Sequence, residues 1–498
     1  MGPLNRRSLL AVVVVVLIGT ATFVAYEVYS PGSGSSCETI QAGKPARSQT
    51  TATNLGAISE YPLPSAYREP NAITHDADGS VWFAEQGLPG VGHLFPQNGT
   101  LVEYAWPGYS APEPPYCTTA VAVSGIAVWK GRVWSADEFG NSIVGVLPSD
   151  GSVVAVNTTG KADYPYWLAV GPDGDLWFTS DNLPARLGRI LPNFTLQVMN
   201  LQGTGEDEPL QLDFVNATTA FLAAINFSEV PSTHLCVCDG RVYSFDPSSA
   251  SGTITPTIVG PGYHLILPTS VSFADGMAWA AQHATSVIVG YNFAAGNWTS
   301  YPTSTMPWLD ATYPLETDAA GGALWFNEHY ANKIALLDPV KGTLIEYSES
   351  NPPASNYTQI QNDESIDTSG GGLWFTSLTG SYVGFASGSY DPGFQVVVSG
   401  ARSASVQRGE STSFNVEVSG TWSSPMGVSV SDSENVTSVP HLILSVPNAT
   451  QIPAGVSHYE LSVKVSVAPA VKVGEYTVAV TLTDGLVQQT VYLFVDVR

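Results

Sequence analysis

Charge is scarce in this chain. Only 12% of its 498 residues are Asp, Glu, Lys or Arg, about half the share of roughly 25% usual in globular proteins. A helical bundle needs charged helix faces, so that architecture is excluded. Basic residues are the scarcer sign, 18 against 43 acidic ones, and the net charge of -25 repels phosphate backbones and excludes a nucleic-acid partner. Four Cys and five Met exclude a dense disulfide scaffold and a Cys-rich metal protein. Also missing are a Gly-x-Ser-x-Gly elbow, a phosphate loop, a His-Glu-x-x-His helix and a dinucleotide fingerprint. What is plentiful is Gly (47), Pro (35) and aromatic residues (10%), the composition of a turn-rich all-β protein.

The one long apolar run lies at the N-terminus. Arg6 and Arg7 precede an uncharged stretch from Leu9 to Tyr26, which as a helix rises about 27 Å and can cross a bilayer. Residues 1–8 then stay in the cytoplasm and the remainder is exported. Residues 9–28 read as a transmembrane signal anchor, with a cleaved signal peptide as the alternative. Residues 29–56, rich in Ser, Gly, Thr and Pro, read as a flexible linker. The predicted localisation is the cell membrane, single-pass, with the globular part extracellular. Nine Asn-x-Ser/Thr patterns, Asn98 and Asn157 among them, fit a glycoprotein at the cell surface. Cys37, Cys117, Cys236 and Cys238 can pair in three ways.

Internal repetition is the strongest signal. A short aromatic strand recurs as SVWFAE (Trp82), RVWSAD (Trp134), DLWFTS (Trp177), AFLAAI (Phe221), MAWAAQ (Trp279), ALWFNE (Trp325) and GLWFTS (Trp374), at intervals of 52, 43, 44, 58, 46 and 49. Periods in the forties with four short strands per unit define propeller blades. A first strand such as NAITHD or WLAVGP precedes each hairpin, whose Asp-Gly or Gly-Gly dipeptide supplies positive φ. Third strands (SIVGVLP, RLGRILP) and fourth strands (LVEYAWP, LIEYSES) follow. Residues 57–392 therefore read as a seven-bladed β-propeller. The seventh unit lacks its fourth strand, and AISEYPLP at Ala57 to Pro64 resembles the missing piece, so this N-terminal strand is expected to close the ring. The 58-residue interval points to an insertion around Ser228 to Asp239 in blade four.

From residue 393 to 498 the repeat gives way to alternation of period two in about seven short strands, FQVVVS through TVYLFVDV. That pattern reads as an immunoglobulin-like β-sandwich without a Cys pair.

The units NAITHDADGSVWFAE, WLAVGPDGDLWFTSDNLPARLGRILPN and LWFNEHYANKIALLDP resemble the blades of the streptogramin lyase family, the virginiamycin B lyases. The resemblance spans about residues 57 to 390. It implies a seven-bladed propeller and a Mg2+-dependent elimination that opens a cyclic depsipeptide at its ester bond. In that family a His base and a Glu at one rim do the chemistry. The starts of first strands and the ends of aromatic strands share one edge of an antiparallel blade, so those are the positions to compare. At first-strand starts this chain has Asn71, Tyr166, Gln211, Thr269, Leu315 and Glu364. None is His, and an Asn amide at the best-matching Glu69-Pro70-Asn71 is no base, so the lyase base does not carry over.

Three residues past the aromatic lie Glu85, Asp137, Ser180, Gln282, Glu328 and Ser377, and four past it Gln86, Glu138, Asp181, His283, His329 and Leu378. Equivalent positions in different blades converge on one rim. Glu138 and Asp181 are the candidate ligands of a divalent cation such as Mg2+. His283 and His329 are the candidate bases, and Glu85, Asn71, Tyr166, Glu328 and Glu364 the candidate ligand-binding groups. A simply solvated polar rim is the alternative for all of them. His75 and His93 lie within strands and read as core or edge residues. Two functions remain. One is a surface module binding a small molecule, glycan or protein at the propeller rim, and the other a metal-dependent lyase or hydrolase acting there on a cyclic or ester-containing ligand.

Overall fold

The computed structural model describes residues 44–65, 68–87, 89–107, 123–226, 239–249, 251–262, 265–283, 285–304, 312–317, 322–328, 331–350, 363–369, 371–378, 380–432, 442–447 and 450–498. The apolar run at residues 9–28 and all four Cys lie outside them. Among the described residues no helix is long and apolar enough to cross a membrane.

Seven antiparallel units follow one another from residue 70 to residue 387. Their first strands are Pro70–His75, Val123–Trp129, Pro165–Val170, Asp207–Asn216, Pro268–Ala274, Thr312–Thr317 and Asp363–Ser369. Each packs on the next, and the seventh packs back on the first. These inner strands therefore form a closed ring around an axis, with the other strands stepping outward. The ring closes as the sequence predicts, because Ile58–Pro62 pairs with Tyr382–Ser387 and completes blade seven.

The Trp-Phe dipeptides explain why the repeat holds together. Adjacent residues of a strand face opposite ways. Trp82 packs toward blade two, with Val123, Val133 and Val144. Phe83 packs toward blade seven, with Trp374 and Val383. Trp177 and Phe178 divide in the same way between blades four and two. Every residue of Val81–Glu85, Leu176–Ser180 and Leu324–Glu328 is buried, as expected of strands covered on both faces. A buried ring of this kind contributes roughly 1.5–3 kcal/mol. Third-strand glycines make room for it: a Cβ on Gly188 would lie 2.0 Å from the Phe178 ring, and one on Gly92 2.1 Å from that of Phe83.

Part of the stretch read as a linker is ordered into the propeller's edge. Ala46–Gln49 pairs with the outer strand Thr100–Ala105 of blade one, and Thr53–Asn54 pairs with Ile58–Pro62. The Asn-x-Thr patterns also have a local structural role. The side-chain carbonyls of Asn98, Asn157, Asn193 and Asn216 accept the backbone N–H two residues on, at 2.8–3.1 Å. These are turn-making contacts.

Beyond residue 393 two sheets share one apolar core that includes Val416, Val463, Val478, Leu482 and Leu493. One sheet runs Phe394–Ser399, Ser411–Gly420, His458–Ser466, Ile443–Ser445; the other runs Val487–Val497, Gly474–Thr483, Met426–Asp432, Gln451–Ile452. The second sheet does not stop at its own edge. Val487–Val497 pairs antiparallel with Thr343–Ser348, the outer strand of blade six, and merges both into one sheet. Tyr492 adds a hydrogen bond from its hydroxyl to the Pro302 carbonyl at 2.8 Å.

Candidate ligand site

The starts of the inner strands and the ends of the second strands do share one rim. Pro70 pairs with Glu85, Val123 with Asp137, Pro165 with Ser180 and Thr312 with Glu328. A register shift interrupts the first strand of every blade just inside this rim, a bulge that turns the leading residue out of the ladder. In blades one, three and five the residue before the strand has positive φ (Glu69, Tyr164, Leu267). Its carbonyl accepts the N–H of Gln86, Asp181 or His283, at 2.8–3.0 Å. Backbone geometry thus pins the position four past the aromatic.

Of the residues expected at this rim, Glu138 and Asp181 are brought together. The Glu138 carboxyl is 5% exposed and accepts a hydrogen bond from Ser124 Oγ at 2.9 Å. Burial, then the neighbouring Asp181 charge, pushes Glu138 up to about 8. Burial also pushes Asp181 up to about 7. A third carboxyl completes the group: Glu208 is hydrogen bonded to Asp181 and is pushed up to about 8 by burial and by that neighbour. Asp181 Oδ1 is buried with no hydrogen-bond partner among the described residues. Sequence alignment of the blades missed Glu208 because it placed the start of blade four at Gln211. That strand begins earlier, at Asp207.

Glu85 and Glu328, expected to face a ligand, are both fully buried. The Glu85 carboxyl lies against that of Glu103, whose other neighbour is Arg68 Nε. Burial and then the Glu103 charge outweigh Arg68 and raise Glu85 well above the usual carboxylate range. Glu328 sits 3.5 Å from Lys333 Nζ, which also lies 3.4 Å from Glu346. Burial pushes Glu346 up, but Lys333 and hydrogen bonds from Glu328 and Ser304 outweigh it, and Glu346 is held below its ordinary value. Both pairs join a second-strand carboxyl to the Glu of an LVEY or LIEY fourth strand and to one cation. These are internal groups that tie a blade together.

Asn71 and Tyr166 are half-buried at the rim. The Asn71 carbonyl accepts from Thr376 Oγ1 of blade seven at 2.7 Å. His283 is half-buried on blade five. His329 and the Glu364 side chain lie outside the described residues. The resemblance implies Mg2+, yet among the described residues no group of three or more His, Cys, Asp and Glu is arranged to hold a metal ion.

Behind the rim the inner strands enclose a cavity of about 380 Å³. Ser124, the partner of Glu138, lines it, together with Trp167, Gln211, Asp213, His75 and Asp367. The sequence places His75 in the core or at an edge. It is instead 36% exposed in its side chain and faces the axis, with Nδ1 2.8 Å from Asp367 Oδ2 across the seam between blades one and seven. The hydrogen bond to Asp367 raises the His75 pKa against the opposing effect of burial. His93 is a core residue as expected, stacked on Trp82 with ring centroids 3.6 Å apart.

Four-stranded units closed in a ring around a central cavity define the class: this chain is a β-propeller. No protein-family model and no curated protein matches it. Among solved structures it is similar to the selenomethionine-substituted virginiamycin B lyase of Staphylococcus aureus, with 21% identity and a TM-score of 0.51 over 66% of this chain and 98% of that one. A catalytically inactive form of the Staphylococcus aureus enzyme, with quinupristin, aligns with 20% identity and a TM-score of 0.49 over 66% and 98%. A streptogramin B lyase aligns with 18% identity and a TM-score of 0.47 over 66% and 96%. The similarity to the first of these shows a shared propeller fold.

Proposed function

We propose that this chain is a binding module displayed outside the cell on an N-terminal anchor at residues 9–28, with an immunoglobulin-like sandwich buttressing the propeller. Its ligand, a small molecule or the end of a glycan or peptide, enters the central cavity from the rim that carries Glu138, Asp181 and Glu208. The observation that carries this reading is the cavity itself. Polar side chains from several blades converge on it, Ser124, Gln211, Asp213, His75 and Asp367, and its volume of about 380 Å³ falls within the range of about 300–1,000 Å³ of small-molecule sites. The absence of His from the described first-strand starts separates it from the lyase chemistry that the resemblance implies.

A second reading, a lyase or hydrolase acting on a cyclic or ester-containing ligand, is favoured by one observation. Carboxylic acids kept protonated near neutral pH are the groups that acid–base catalysis uses. Calorimetric titration of the purified full chain with quinupristin, short peptides and glycans, with and without Mg2+, tests both readings. Binding without chemical change is the expected result. Opening of an ester ring, lost in Glu138→Gln, would replace the binding module with the enzyme.

A further inference from the structure

The chemistry of the cavity wall narrows what it can hold. Two Asp side chains line it, and no Lys or Arg does so among the described residues. Asp213 comes from blade four and Asp367 from blade seven, on separate arcs of the ring. Burial pushes Asp213 up to about 6, opposed by hydrogen bonds from the backbone of Phe273 and Phe214, so most of it is ionised at neutral pH. Asp367 accepts from both the backbone N–H and Nδ1 of His75. Ala72, Ile126, Leu168 and Leu212 also line it, with the half-buried indole of Trp167 among them. The net charge of -25 deepens the negative field of the two carboxylates.

We propose that the central cavity binds a small organic cation, an amine or a guanidinium, with Asp213 and Asp367 as its carboxylate anchors and Trp167 as an aromatic face. Ion pairing and cation–π contact are the two interactions such a wall supplies. The proposal rests on the reading that the cavity takes a ligand and adds the ligand's charge. It also gives His75 a role as a competitor. A protonated His75 neutralises Asp367 and repels a second cation, so cation affinity falls as pH drops through the His75 titration, and protonation of Asp213, at about 6, lowers it further. The charged groups facing His75 are Asp367 from blade seven and Asp76 on its own chain segment. The neighbouring inner strand Val123–Trp129 and the strand Gly372–Ser377 carry no titratable residue, and Val81–Glu85 carries only Glu85, at the far end.

The test is calorimetry on the full chain with four probes: agmatine, benzyltrimethylammonium, benzyl alcohol and benzoate. The two cations are expected to bind at pH 7.5, more weakly at pH 5.5, and to lower the His75 pKa read from its imidazole proton resonance. Asp213→Asn and Asp367→Asn each weaken cation binding by at least about tenfold, the loss expected when one charge partner is removed. If one variant does not fold, the other and the His75 titration carry the test. Binding of benzoate or benzyl alcohol without the cations overturns the cation assignment and leaves the cavity reading standing. Cation affinity unchanged in both variants overturns it as well. Failure of all four probes overturns the cavity reading itself.

Discussion

Asp367 receives two hydrogen bonds from one residue of another blade, from the backbone N–H of His75 and from its Nδ1 at 2.8 Å. The partners are 292 positions apart in the chain. Together they join the first inner strand to the last where the ring closes.

Replacing Asp367 by Asn lowers the His75 pKa. A His whose folded pKa is raised contributes stability that is fully present below its unfolded value, near 6.5, and lost as pH rises through the folded value. The variant's deficit, about 1 kcal/mol on the scale of one hydrogen bond, is therefore larger at pH 5 than at pH 9. Urea unfolding at the two pH values measures it.

Glu138, Asp181 and Glu208 act in the opposite sense to ordinary carboxylates. Their folded pKa values of about 8, 7 and 8 exceed those of free side chains near 4, so the folded state binds more protons between the two. Stability falls as pH rises from about 4 through 8. Glu138→Gln removes part of this slope and raises the melting temperature at pH 9 relative to the parent, with little change at pH 5. Calorimetric scans across that range report it.

The closing strand is tested at Ile58, which is 1% exposed and packs against Leu373 and Phe375. Ile58→Ala costs about 2–4 kcal/mol through lost burial and the cavity left behind. Gly188→Ala, whose new methyl meets the Phe178 ring, costs about 1–3 kcal/mol by overpacking. Denaturant midpoints separate both from an exposed control such as Lys341→Ala.

Lys333 lies between two fully buried carboxyls, Glu328 and Glu346, and touches Gln488 of the C-terminal part at 3.5 Å. Lys333→Ala leaves Glu328 and Glu346 without their cation and costs about 3–5 kcal/mol. Because blade six shares a sheet with Val487–Val497, the propeller and the C-terminal sheets unfold in one transition in the parent. Two separate calorimetric peaks would contradict this.

Much of the fold was legible in the sequence because it repeats locally. The Trp-Phe dipeptides, the hairpin turns and the orphan strand at Ala57 to Pro64 each report burial and chain reversal over a few residues, and such signals survive without knowledge of the partner. The meeting of Glu138 with Asp181 was legible for the same reason, since equivalent positions in neighbouring blades must converge. Tertiary structure decided the rest. Whether a rim carboxylate faces a ligand, as expected of Glu85 and Glu328, or is buried within its own blade depends on fourth-strand residues such as Glu103 and Glu346. Likewise Glu208 joins the trio because one strand starts earlier than its equivalents, and the sheet of blade six continues into Val487–Val497 by edge pairing, which side-chain pattern does not encode. His75 reads as an ordinary strand residue until the ring closes and sets Asp367 beside it.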